Sequence, residues 1–161
     1  MKFRLLIFCF FTLLSLSAQD TSKITEIDRL VLEINSLTLP PKTDTLKNIR
    51  PNLEIVTLVS FISANGELYK CIYNVTADIS EQGLTKRSIG ITNYYYHKNE
   101  TIKIERYILD EGIENRSVWY YWEGKPIYNT GKSADSEVMA NDLLNASREI
   151  RKKVIGSEIK K

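Results

Sequence analysis

Histidine and cysteine are nearly missing from this 161-residue chain, which has one histidine, His97, and two cysteines, Cys9 and Cys71. That scarcity excludes the usual zinc sites built from several His and Cys ligands, and no metal site is expected. Glycine is sparse too, at seven residues. None of the seven is placed to form a phosphate-cradling loop or a nucleophile elbow, so no nucleotide or other cofactor is implied. Neither sign of charge dominates, with 22 basic residues against 20 acidic. There is one long apolar run, Leu5 to Leu14, broken only by Thr12.

That run has the form of a secretory signal over residues 1–18. Lys2 and Arg4 precede it, and Ser15-Leu16-Ser17-Ala18 supplies the small residues a signal peptidase requires, with cleavage after Ser17, Ala18 or Gln19. It is shorter than the ~20 residues that span a bilayer as a helix, so no stable membrane span is expected after cleavage. Leu6 sits three residues before Cys9, but Phe8 is too bulky for a lipoprotein cleavage motif. The expected localisation is therefore exported, either periplasmic or extracellular.

Losing Lys2 and Arg4 leaves 20 basic residues against 20 acidic. A neutral chain lacks the basic balance of a nucleic-acid binder. Arg148, Arg151, Lys152 and Lys153, followed by Lys160 and Lys161, fit the negative end of a helix dipole. With Cys9 removed, Cys71 has no intramolecular partner, so the fold must be held by its apolar core, which about 140 residues can supply. Cys71 lies among alternating strand residues and reads as a small buried apolar side chain. An intermolecular disulfide or a nucleophile are the functional alternatives.

Residues 19–161 read as a single α+β domain. Ile24, Ile27, Leu30, Val31, Ile34 and Leu37 recur with helical period, predicting an amphipathic helix over Ser22 to Leu37 that ends before Pro40-Pro41. Thr38 to Pro51 reads as a polar connector. Leu53–Ser63 and Leu68–Val75 are β-prone and flank Asn65-Gly66, which predicts a hairpin with a type I′ turn. Ser80 to Arg87 reads as a loop, and short strands separated by polar turns continue to Thr130. Val138, Met139, Leu143, Leu144, Ala146, Ile150 and Val154 predict a second helix over Asp135 to Val154, stopped near Gly156 and followed by a frayed tail, 157–161. The expectation is an N-terminal helix, an antiparallel meander of about six strands within 52–130, and a C-terminal helix. Both helices are expected on one sheet face, which buries each apolar stripe once.

That arrangement leaves one face uncovered. Alternation along the strands predicts an outer stripe of Tyr94, Tyr96, Tyr107, Trp119 and Tyr121, flanked by Lys103 and Glu105. Rings with polar tips offer a large contact area for a glycan or a protein partner. Cross-strand ring pairing would account for the same composition without any ligand.

No catalytic constellation stands out. His97 adjoins a turn, and nothing in the spacing pairs it with Cys71. Asp110, Glu111 and Glu114 lack the ligand spacing of a calcium loop. Asn74, Asn99, Asn115 and Asn145 occupy Asn-X-Ser/Thr sites, relevant only where the secretory route glycosylates. The expected function is a small exported non-enzymatic binding or accessory protein using the aromatic face. One alternative is an inhibitor or immunity-like protein that binds another protein through the Ser80–Arg87 or Asp110–Arg116 loop. Another is an enzyme with carboxylate chemistry.

Overall fold

The computed structural model describes residues 21–50, 53–81, 84–110, 113–130 and 136–158. The expected signal segment lies outside these residues, as do Gly131, Ser133 and 159–161 of the expected tail. A helix, α1, covers residues 21–36. Seven strands follow: β1 Pro41–Arg50, β2 Leu53–Ile62, β3 Leu68–Glu81, β4 Leu84–His97, β5 Glu100–Asp110, β6 Ile113–Trp122 and β7 Lys125–Asn129. They form one antiparallel sheet in sequence order, and helix α2, Ser136–Glu158, closes the chain. The α+β class, the meander and the flanking helices are those expected.

Several details differ. The connector expected over Thr38–Pro51 carries β1, whose one proline, Pro41, is tolerated as the first residue of an edge strand with one unpaired side. The expected Ser80–Arg87 loop is strand up to Glu81 and again from Leu84, with Glu81 paired to Leu84. Helix α2 continues two residues past Gly156. The Asn65-Gly66 hairpin forms, but only Gly66 has positive φ, at 82°. Gly66 N–H donates to Ser63 O and Ser63 N–H donates to Glu67 O, each at 2.9 Å. A left-handed glycine after such a turn is the bulged, longer hairpin loop rather than type I′, which needs positive φ at both centres. The paired positive angles occur instead at Lys98-Asn99 (50° and 64°) and Glu123-Gly124 (50° and 72°).

The larger difference concerns the helices, which lie on opposite faces of the sheet. Tyr120 donates to Asp28 Oδ1 of α1 at 3.0 Å, while the adjacent Tyr121 donates to Ala140 O of α2 at 2.8 Å. Neighbours along a strand point to opposite faces, so the two helices must as well. Ile27, Leu30, Val31 and Ile34 pack on Tyr95, Ile102, Val118 and Tyr120. Ala140, Leu144 and Val154 pack on Leu68, Cys71, Tyr94, Tyr96, Ile104, Trp119 and Tyr121. Both faces of β4 and β6 are rich in large apolar groups, and one helical layer would have left half of them in water. A bulge opposite Tyr95–Tyr96 places Ile102 and Lys103 on the same face, so Ile102 and Ile104 serve different cores.

Both helices cross the strands near the same end of the sheet. Helix α2 meets Tyr121 through Ala140, Tyr96 through Ser147, Gly124 through Arg148 and Asn99 through Arg151. Helix α1 meets Trp122 through Lys23 and Lys70 through Asn35. These partners all flank the turns at 63–67, 98–99 and 123–124. Strands β3 and β4, of 14 residues each, extend about 46 Å and run well beyond the helices.

Candidate functional site

The expected outer stripe is core. Tyr94, Tyr96, Trp119 and Tyr121 are buried under α2, with exposures of 4% or less. Their alternation was readable, but the face assumed to be open is covered by the second helix. Two of the phenols are satisfied by that helix: Tyr121 donates to Ala140 O at 2.8 Å and Tyr96 to Ser147 O at 3.1 Å, and Ser147 Oγ in turn lies 2.8 Å from Thr101 Oγ1. Among the described residues the Trp119 indole N–H has no hydrogen-bond partner. Tyr107, the fifth ring of the stripe, pairs with Ile91 and stands half-buried on the opposite face. Among the described residues these five rings form no exposed stripe for a glycan or protein to bind.

Lys103 and Glu105, expected at its solvent margin, form a buried charged cluster on the α1 side. Lys103 Nζ lies 2.8 Å from Asp28 Oδ1 and 3.1 Å from Glu105 Oε1, and Arg116 Nη2 lies 3.1 Å from the same Glu105 oxygen. Tyr107 and Tyr95 donate to Glu105 Oε2 at 3.2 and 3.4 Å. Burial alone would lower the Lys103 pKa, but the hydrogen bonds it donates to Asp28 and Glu105 outweigh it and raise the ammonium above its ordinary range. Burial likewise works to raise Glu105, while Lys103 and Arg116 outweigh it and hold the carboxyl below the usual carboxylate range. Every charge in the cluster has a partner, which makes it a joint between α1 and the sheet.

The open site lies beyond α2, on that helix's side of the sheet. Successive pairings carry the buried row Cys71–Tyr94–Ile104–Trp119 into three further rows across β3, β4 and β5. These are Tyr73–Thr92–Arg106, Val75–Gly90–Ile108, and Ala77 beside Ser88. Together with Tyr94 and with Leu143 of α2 they line a half-open groove of about 360 Å³. Gly90 is central: a Cβ there would meet no atom within 4 Å, so its absence hollows the floor. Thr92 and Tyr94 are buried at the inner end, and Arg106 is half-buried beside them. Burial and the Tyr73 phenol push Tyr94 up to about 12, with the positive charge of Arg106 acting in the opposite sense. Among the described residues no hydrogen bond or ion pair holds the Arg106 side chain, and no carboxylate lines the groove.

Two signals for this site were present in the sequence and missed. Arg106 sits between Ile104 and Ile108 at an inward parity, and Gly90 interrupts Ile89 and Ile91 inside a strand. On the other face of the same sheet end, Ile89, Ile91 and Leu109 are exposed. Burial pushes the Cys71 thiol up to about 12, which leaves almost no thiolate near neutral pH. Among the described residues no group of three or more His, Cys, Asp or Glu gathers closely enough to hold a metal, and no helix is long and apolar enough to cross a membrane. Compared with known proteins, the chain matches no protein-family model, no curated protein and no solved structure.

Proposed function

We propose that this chain is a small exported binding protein without catalytic activity, and that it holds its ligand in the groove over β3, β4 and β5. The observation that carries this reading is the combination of an apolar floor hollowed at Gly90 with a small set of polar groups at one end. Concave, mostly apolar sites with a few convergent polar groups are the usual form of a small-molecule site. The volume of about 360 Å³ sits at the small end of that range. Such a site binds and orients, and it offers no paired acid and base for turnover.

Nile red, which is apolar and carries no formal charge, tests the site itself. Wild-type protein should enhance its fluorescence, and Gly90→Leu should abolish the enhancement without lowering its urea-unfolding midpoint, because a Cβ at this position meets no atom within 4 Å and the side chain beyond it projects into the groove. Equal enhancement by the variant would rule the groove out as the binding site.

A second reading, an inhibitor or immunity-like protein, draws on the exposed Ile89, Ile91 and Leu109 on the opposite face. It expects that face, and not the groove, to bury surface against a protein. Ile91→Lys would then abolish capture of that partner while leaving Nile red binding intact.

A further inference from the structure

The groove's polar groups are not evenly spread. Arg106 and Thr92 stand opposite each other in the β4–β5 register, with Tyr94 next along β4. All three lie at the end nearest α2, and from there the floor runs through Val75, Gly90 and Ile108 toward Ala77. Four residues of strand separate Tyr73 from Ala77, a run of about 13 Å. The site therefore has a cationic, hydrogen-bonding head and an apolar trough.

A guanidinium half-withdrawn from water and without a partner among the described residues is a costly arrangement. A carboxylate placed there would gain bidentate, charge-assisted hydrogen bonds that neither water nor a neutral ligand supplies as well. A cationic head would meet like charge, and a purely apolar ligand would leave the guanidinium desolvated and unpaired.

Resting on the groove as the binding site, we propose that its ligand is a medium-chain amphipathic carboxylate, with the carboxylate on Arg106 and Thr92 and the hydrocarbon along Val75, Gly90 and Ile108. The Tyr94 phenol closes the head end as a further donor. Helix α2 supplies Leu143 as the side wall, and Met139 lies one turn earlier on the same flank.

The test is calorimetric titration of the whole protein with decanoate, decanol and decylamine, which share a chain length and differ in head group. Decanoate should bind at least about tenfold more tightly than decanol, and decylamine should bind more weakly than either. Arg106→Gln should remove the preference for decanoate while leaving decanol affinity and the unfolding midpoint in place. Arg106→Lys should restore part of it. Decanol binding as tightly as decanoate, or an unchanged preference in Arg106→Gln, would overturn the assignment while the groove still stood as a binding site. Absence of binding by all three would remove both.

Discussion

Replacing Lys103 with methionine tests the claim that the charged cluster under α1 is a joint. The side chain is 9% exposed and bridges Asp28 on the helix to Glu105 on β5, so its removal separates two carboxylates from their shared cation. Breaking a buried pair by deleting one partner costs about 3–5 kcal/mol. Two features reduce that here: Glu105 keeps Arg116 and two phenols, and Asp28 is 44% exposed and can rehydrate. The expected loss is about 2–3 kcal/mol, below that range because compensation remains. Urea unfolding followed by circular dichroism would measure it. Replacing Glu105 with leucine in the same chain should recover part of the loss, so that the double variant is more stable than the two single effects predict by about 1–3 kcal/mol.

The pH dependence follows from the direction of each shift. Glu105 has a folded pKa below its unfolded value, so its contribution is present above about pH 4.3 and disappears as pH falls toward the folded value. Lys103 has a folded pKa above its unfolded value, so its contribution is complete below about pH 10.4 and is lost as pH rises through the folded value. Wild type should show a plateau between these limits, and Lys103→Met a shallower acid limb because Glu105 has lost one of its two cations. A variant as stable as wild type at neutral pH, with an unaltered acid limb, would refute the reasoning.

Four other outcomes are expected. Tyr96→Phe removes the phenol that Ser147 O accepts at 3.1 Å and should cost about 1 kcal/mol in urea unfolding. Gly124→Ala should destabilise by about 1 kcal/mol or more, because φ is +72° and the new Cβ would lie 3.2 Å from Arg148 Nη2. Gly90→Ala, in open space, should be neutral or stabilising in the same assay. Cys71 should resist a maleimide in the native protein near neutral pH and react fully once unfolded, which mass spectrometry reads directly.

Much of the fold was legible because strand alternation and helical period are local. Tyr95 was correctly separated from Tyr94 and Tyr96, and Trp119-Tyr121 from Val118-Tyr120, by parity alone. Parity does not say what covers each face. Two amphipathic helices are compatible with one shared layer or with one layer on each side, and the choice rests on long-range packing. The bulge at Ile102–Lys103 was likewise invisible, and it transferred Lys103, Glu105 and Tyr107 to the α1 face. Asn65-Gly66 fits both a two-residue turn and a bulged loop, and the register shift between Phe61 and Ile62 selected the second. The groove could not be located because Gly90 and Arg106 become neighbours only through the β4–β5 register. Its emptiness depends on where α2 happens to end its coverage.

The most direct test of the groove uses methyl-resolved NMR of the whole protein titrated with decanoate. Val75, Ala77 and Ile108 point into the groove, while Ile89, Ile91 and Leu109 lie on the opposite face of the same strands. The expected result is saturable shifts of the Val75, Ala77 and Ile108 methyls, with those of Ile89, Ile91 and Leu109 unchanged. Shifts confined to Ile89, Ile91 and Leu109 would place binding on the other face and contradict the account.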